Sequence, residues 1–450
     1  MSAPSPAAVP LGQACRFWAR LGWVSFGGPA GQIALLHDEL VQRRRWLSER
    51  RFLHALNYCM VLPGPEATQL ATYLGWLMHG IPGGLLAGGL FLLPSVLVLL
   101  SLASVYALWG QLPLLSSVFW ALKPAVLAIV LQAAWRLGLR TLRTPLLIAI
   151  ALVALVAQSV LQFPYPLLLA MAALTGGLAA RYSPQWLSPP SPATAAAEPD
   201  PGTAAAPTPG PAALHDDTTP APPWARVSRR RLLLVWLCGG LALGVPLAAL
   251  GLLDGWSGLL TTLARFFTRV ALVSFGGAYA VLPYVAQGAV NQFGWLSADQ
   301  MVDGLALGET TPGPLIMVVA FVGFMGGWNE AGSLIRAISA ALVVVWFTFL
   351  PSFLFILAGA PLVEASRDDL RLEGPLRAIT AVVVGVIVSL ALFFAGPVLS
   401  PAGRLDAGAV ALLLACLGLL LWRRWTVLPL IGVAGLIGLL RGALIAAGVQ

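Results

Sequence analysis

Sliding the chain against itself by 249 positions lays FWARLGWVSFGG (Phe17 to Gly28) on FFTRVALVSFGG (Phe266 to Gly277) without a gap. The same shift lays WLS at Trp46 on WLS at Trp295, and PGP at Pro63 on PGP at Pro312. Register held over that distance marks duplication, so whatever the chain folds into is built twice. Past these motifs the match loosens, although Pro94-Ser95 still pairs with Pro351-Ser352 and Lys123 with Arg377 after a small change of offset.

The repeated unit is apolar. Of 450 residues 58% are hydrophobic and 10% charged, with mean hydropathy +0.85, against about 25% charged in soluble domains. Runs long enough for a hydrocarbon layer of ~30 Å lie near 14–36, 52–79, 82–109, 113–135, 143–160 and 163–180 in the first half. In the second they lie near 231–253, 258–288, 300–328, 333–360, 376–398, 407–422 and 426–446, about thirteen in all. The expected fold is therefore an all-α polytopic membrane protein with two homologous halves, 1–182 and 231–450. Residues 183–230 are rich in Pro, Ala and Thr and hold too few large apolar side chains to order themselves, which predicts a flexible linker. MSAPSPAAVPLGQ lacks the basic start and compact apolar core of a signal peptide, so the first hydrophobic segment is expected to persist. The net charge of +8 comes from arginines clustered between apolar runs, the pattern of topology signals and not of a nucleic-acid footprint. Cys15, Cys59, Cys238 and Cys416 have no paired spacing, which implies neither a zinc site nor a disulfide framework.

If every run crosses, the first segment corresponds to the eighth, and the copies point in opposite directions as in inverted-repeat transporters. The loops agree: Arg43, Arg44, Arg45, Arg50 and Arg51 follow the first segment, whereas 288–300 holds no Lys or Arg and ends in Asp299. One conflict remains. With all runs crossing, the basic end of the linker (Arg226, Arg229, Arg230, Arg231) falls on the outer side. A PGP-broken run that enters and returns would cure this only if 231–253 then did not cross.

Chemistry concentrates at the helix breakers. Proline lacks an N–H and blocks the bond to residue i−4, so Pro63-Gly64-Pro65 and Pro312-Gly313-Pro314 each end one helix and start another. Freed backbone groups at membrane depth are tolerated only inside protein or beside water. The second half-helix of each pair would offer free amides and a positive dipole end, an anion-binding device. Thr310 and Thr311 add hydroxyl donors. The plain alternative is a kinked helix packed on a neighbour. Glu66 and Glu309 flank the breaks at non-equivalent positions; intramembrane carboxylates are expensive, which points to coupling or gating, while Glu66 in a first turn would also serve as a cap. Arg20 and Arg269, repeat mates, are candidates for bidentate oxyanion recognition or else snorkelling anchors. The breaks at Ser25, Gly27 and Gly28 and at Ser274, Gly276 and Gly277 permit close helix approach or ligand contact. Lys123 and Arg377 are second-tier candidates for the anion path. The sequence has no GxxxxGK[ST] and no HExxH, and His37, His54, His79 and His215 make no metal spacing. No cofactor or metal is expected. The residues alone thus point to a secondary anion transporter with two helix-break sites.

The ordered motifs SFGGPAGQIALLHDELVQRRRWLS, RFLHALNYCMVLPGPEATQLATYLGW, SFGGAYAVLPYV, GWLS and LGETTPGPLIMVVAFVGFMGGW closely resemble the long, duplicated form of the bacterial chromate transporter family. The resemblance spans both halves and omits the linker. It implies a carrier of the bacterial cytoplasmic membrane that exports chromate, a sulfate-like dianion, confers chromate resistance, and draws on the proton-motive force instead of ATP. The second copy lacks the proline and basic loop that follow the first FGG, so the halves are not interchangeable. Rival readings are a carrier for sulfate or another oxyanion, and a membrane-embedded enzyme using Glu66 and Glu309 as an acid/base pair on a lipid-linked substrate. A homodimer is among the assemblies open to it.

Overall fold

The structure, a computed structural model, describes residues 9–183, 186, 214, 222–226, 228–275, 277–365, 373–423 and 425–447. Most of the linker expected over 183–230, and Gly276, lie outside the described residues. Sixteen α-helices form the described chain. In the first half these are α1 (Leu11–Val24), α2 (Gly28–His37), α3 (Glu49–Val61), α4 (Glu66–Trp109), α5 (Pro113–Thr141), α6 (Pro145–Ser159) and α7 (Tyr165–Tyr182). α8 (Arg229–Leu253) precedes the second copy: α9 (Leu259–Leu272), α10 (Ala278–Ala286), α11 (Ala298–Thr310), α12 (Val318–Ala331), α13 (Leu334–Ala365), α14 (Glu373–Leu399), α15 (Ala407–Leu421) and α16 (Val427–Ala446). Six described helices are long and apolar enough to cross a membrane, which makes the chain a multi-pass membrane protein.

Local rules set the boundaries. Ser48 caps α3 by accepting the Arg51 N–H at 3.3 Å, and its repeat mate Ser297 caps α11 in a reciprocal box with Gln300. Thr144 caps α6 just ahead of Pro145, and Asp406 caps α15 while accepting the Trp120 indole N–H at 2.7 Å. Both copies even share a turn of π-helix, at Asp38–Arg43 and Gln287–Gln292.

Four expected runs, 14–36, 52–79, 258–288 and 300–328, are each broken into two helices of 9 to 14 residues or a comparable limb. At ~1.5 Å per residue such pieces span about 20 Å at most, too little to cross alone. Side-chain contacts show where they go. His37 at the end of α2 meets Glu49 at the start of α3 at 2.7 Å, and Arg44 shares a surface depression with Gly12 and Gln13 of α1. After Glu66, α4 runs to a bend at His79 and Gly80, where the His79 ring meets the Val9 carbonyl just ahead of α1. Arg51 near the start of α3 pairs with Glu364 at 3.1 Å, and Tyr73 of α4 donates to the same carboxylate at 2.6 Å. α1–α2 and α3–α4 are therefore hairpins that return to one end of the bundle, the near end.

The second copy does the same at the far end. Asn329 at the end of α12 donates to the Trp295 carbonyl ahead of α11, and Trp295 packs on Phe266 and Phe267 of α9. Arg336 at the start of α13 pairs with Asp254 after α8 and with Glu330 of α12. The two long helices join the ends. α4 goes from its bend at the near end to Tyr106, which donates to Asp303 of α11, and α13 goes from Arg336 to Glu364. α5 packs on α16 and α14 on α6 and α7, and the main apolar cluster draws residues from both copies.

Candidate functional site

Each PGP forms the tip of a hairpin, and each tip is held by the other copy. The Gly64 N–H donates to the Ser274 carbonyl at 2.7 Å, and the Gly313 N–H donates to the Ser25 carbonyl at 2.6 Å. The two bonds are repeat mates of one another. Both glycines need their residue type: φ is +136° at Gly64 and +104° at Gly313, values that L side chains rarely adopt. A Cβ on Gly64 would lie 2.5 Å from Ser352 Oγ, and one on Gly313 would lie 2.6 Å from Ser95 Cβ. The SFGG breaks of one copy and the PGP break of the other thus form a single layer at mid-bundle.

This layer corrects part of the sequence expectation. The glycine amides are already spent on the carbonyls of the partner copy, so the free donors are the next ones along. Among the described residues the amides of Glu66, Ala67 and Thr68 at the start of α4, and of Leu315 and Ile316 ahead of α12, have no backbone acceptor. The hydroxyls of Ser25, Ser274 and Ser95 are buried without a hydrogen-bond partner. Gln69 donates its amide to the Pro63 carbonyl at 2.8 Å while its Oε1 stays unpartnered. Thr310 and Thr311, expected as anion donors, instead turn back on their helix and donate to the carbonyls of Leu307 and Gly308. A hydroxyl has one proton, and here it is committed.

The two carboxylates converge although they are not repeat mates. Glu309 is 9% exposed, and its one described partner is the Tyr279 hydroxyl. Glu66 makes no hydrogen bond or ion pair among the described residues, so it does not act as a cap, and its Oε1 lies 4.0 Å from where a Gly277 Cβ would stand. Both groups therefore face the first turn of α10, which sequence reasoning missed because Tyr279 replaces Ala30 of the other copy.

Other expected residues lie elsewhere. Arg20 and Arg269 are exposed on α1 and α9, and Arg20 lines a depression of about 500 Å³ with Arg16 and Arg44 at the near end. Their guanidinium groups do not enter the tip layer as a buried fork would. Lys123 is paired with Asp299 at 2.9 Å and Asp303 at 3.6 Å at the far end, which leaves it little free charge for an anion. Arg377 lies near the start of α14. Pro63, Pro65, Pro312 and Pro314 shape the tips, while Gly27, Gly28 and Gly277, all at positive φ, shape the SFGG turns.

The chain matches the family described as Chromate transporter over residues 12–177 and 261–439, one match per copy with α8 outside both. A probable chromate transport protein of Synechococcus elongatus is 28% identical over 84% of this chain and 83% of its own. Chromate transport proteins of Cupriavidus metallidurans and Pseudomonas aeruginosa are 29% and 31% identical, over 95% and 85% of this chain and 92% and 80% of theirs. No solved structure gives a significant match.

Proposed function

Because the chain belongs to the chromate transporter family, we propose that it is a secondary carrier that exports chromate across the bacterial cytoplasmic membrane and so confers chromate resistance. The observation that carries this reading is the reciprocal pair of bonds between the PGP tips and the opposite serine carbonyls. It brings two half-helix starts, with their free amides and positive dipole ends, into one buried layer with unpartnered hydroxyls. A tetrahedral dianion needs many donors and little room, and that layer supplies them without a cofactor.

Within the halves 1–182 and 231–450, α1–α7 and α9–α16 act as an inverted repeat, with α8 at the start of the second half as an added crossing. Two features support this. Each copy carries two hairpins that return, so α8 restores the parity that sequence reasoning left in conflict. The near end holds Arg43, Arg44, Arg45, Arg50, Arg51 and the Arg229 to Arg231 run. The far end and its hairpins hold, among the described residues, Lys123, Arg265, Arg269, Arg336, Arg404 and Arg441. The richer end is cytoplasmic by the positive-inside rule. Glu309 and Glu66 carry the coupling proton, since carboxylates without a cation at that depth are retained for function.

Chromate uptake into everted vesicles tests the proposal. Proton-driven uptake that excess sulfate does not abolish is expected; flux that sulfate abolishes without chromate preference would move the reading to a sulfate carrier, and no flux would end the carrier reading.

A further inference from the structure

Serines and threonines within these helices mostly spend their proton locally. Thr72, Ser101, Ser104 and Ser117 each donate to the carbonyl four residues before, at 2.8 Å. Ser95 of α4 and Ser352 of α13 do not donate to their own helix: the Ser95 hydroxyl is fully buried with no hydrogen-bond partner among the described residues, and Ser352 is 2% exposed. They are repeat mates, each preceded by a proline, and each hydroxyl overhangs the tip glycine of the opposite copy. Ser352 Oγ would be 2.5 Å from a Gly64 Cβ, and Ser95 Oγ 2.7 Å from a Gly313 Cβ. A buried hydroxyl left unmatched is unfavourable unless something else takes its proton. The two hydroxyls, related by the duplication and standing beside two sets of free amides, share one geometry over the opposite tip glycine.

We infer that Ser95 and Ser352 are a matched pair of substrate contacts that donate to opposite oxygens of a tetrahedral oxyanion held between the tips, and so help set its affinity. This rests on the carrier reading above. The pairing explains why the hydroxyls sit on the long helices: a ligand bridging α4 of one copy and α13 of the other touches both elements that join the two ends.

The test uses full-length protein in proteoliposomes, with chromate as the probe and sulfate as competitor, for Ser95→Ala, Ser352→Ala, Ser95→Cys and the double Ala variant. Each Ala change is expected to raise the chromate KM about tenfold, the usual size for one hydrogen bond to a charged group. The double variant is expected to multiply the losses, and Ser95→Cys, a weaker donor, to fall between. The melting temperature is expected to hold or rise, since an unmatched buried hydroxyl is removed. Wild-type flux with an unchanged KM in both Ala variants would overturn the subsite alone, as would an unchanged KM with a lowered melting temperature. Wild-type vesicles that move no chromate would overturn the carrier reading, and the subsite with it.

Discussion

Glu309 is the residue whose setting is least compatible with a packing role, because among the described residues no cation pairs with it and one tyrosine hydroxyl holds it. If it carries the coupling proton, Glu309→Gln keeps the shape but cannot release a proton, so flux should lose most of its pH dependence while chromate binding persists. Reconstituted vesicles assayed across pH, with binding measured by equilibrium dialysis, check both halves; an unchanged pH profile removes Glu309 from coupling. Tyr279→Phe should lower maximal flux several-fold without raising the chromate KM, since it frees the carboxylate without touching the tips. Sequence found both carboxylates, because a charged residue in an apolar run is visible without a fold. It could not find their meeting place. Glu66 and Glu309 come from opposite sides of their PGP motifs, and only the packing of α10 brings them to one turn. The exposure of Arg20 and Arg269 was not legible for the converse reason: helical position fixes how deep a side chain starts, and exposure depends on which neighbours cover that face.

At the scale of the elements, the breaks were legible and their mechanics were not. Proline spacing suggests that Pro→Ala would let a helix run on, yet the tip is held by a glycine at φ +104° whose N–H is bonded to the other copy. Pro314→Ala should therefore leave the tip in place and cost only part of the flux. Gly313→Ala should be far worse: the backbone strain alone costs about 1–3 kcal/mol, and the added methyl meets Ser95 at 2.6 Å. Flux should vanish and the melting temperature should fall in that variant, and a Gly313→Ala protein with normal melting and transport would show that the tip is not built as described. The hairpin return was beyond sequence for a related reason. A largely apolar run of 28 residues, 52–79, is long enough to cross, and only contacts such as Asn329 to Trp295 show that its counterpart turns back.

At the scale of the molecule, duplication was readable to the residue, since the 249-position shift that aligns the motifs also aligns α3 with α11 and Ser48 with Ser297. The linker expected over 183–230 lies mostly outside the described residues, but its end is described. Trp224 donates its indole N–H to the Trp76 carbonyl at 2.9 Å and lies against Gly80, so the end of the linker is seated on the bend of α4. If the Pro-, Ala- and Thr-rich composition makes 183–230 a flexible connector, shortening it by about half while keeping Trp224 should leave transport intact, whereas Trp224→Ala should lower the melting temperature. The orientation of the copies is the largest claim and has the most direct test. Ser48 and Ser297 occupy the same position in the two copies, at the feet of α3 and α11. If the copies are inverted, these feet lie on opposite sides of the membrane, with Ser48 beside the arginine-rich loop on the cytoplasmic side. In a background lacking the four native cysteines, Ser297→Cys should react with a membrane-impermeant thiol reagent in intact cells. Ser48→Cys should react only in everted vesicles. Labelling of both from the same side would mean parallel copies, and two hairpins rising from one surface could not place Gly64 and Gly313 tip to tip.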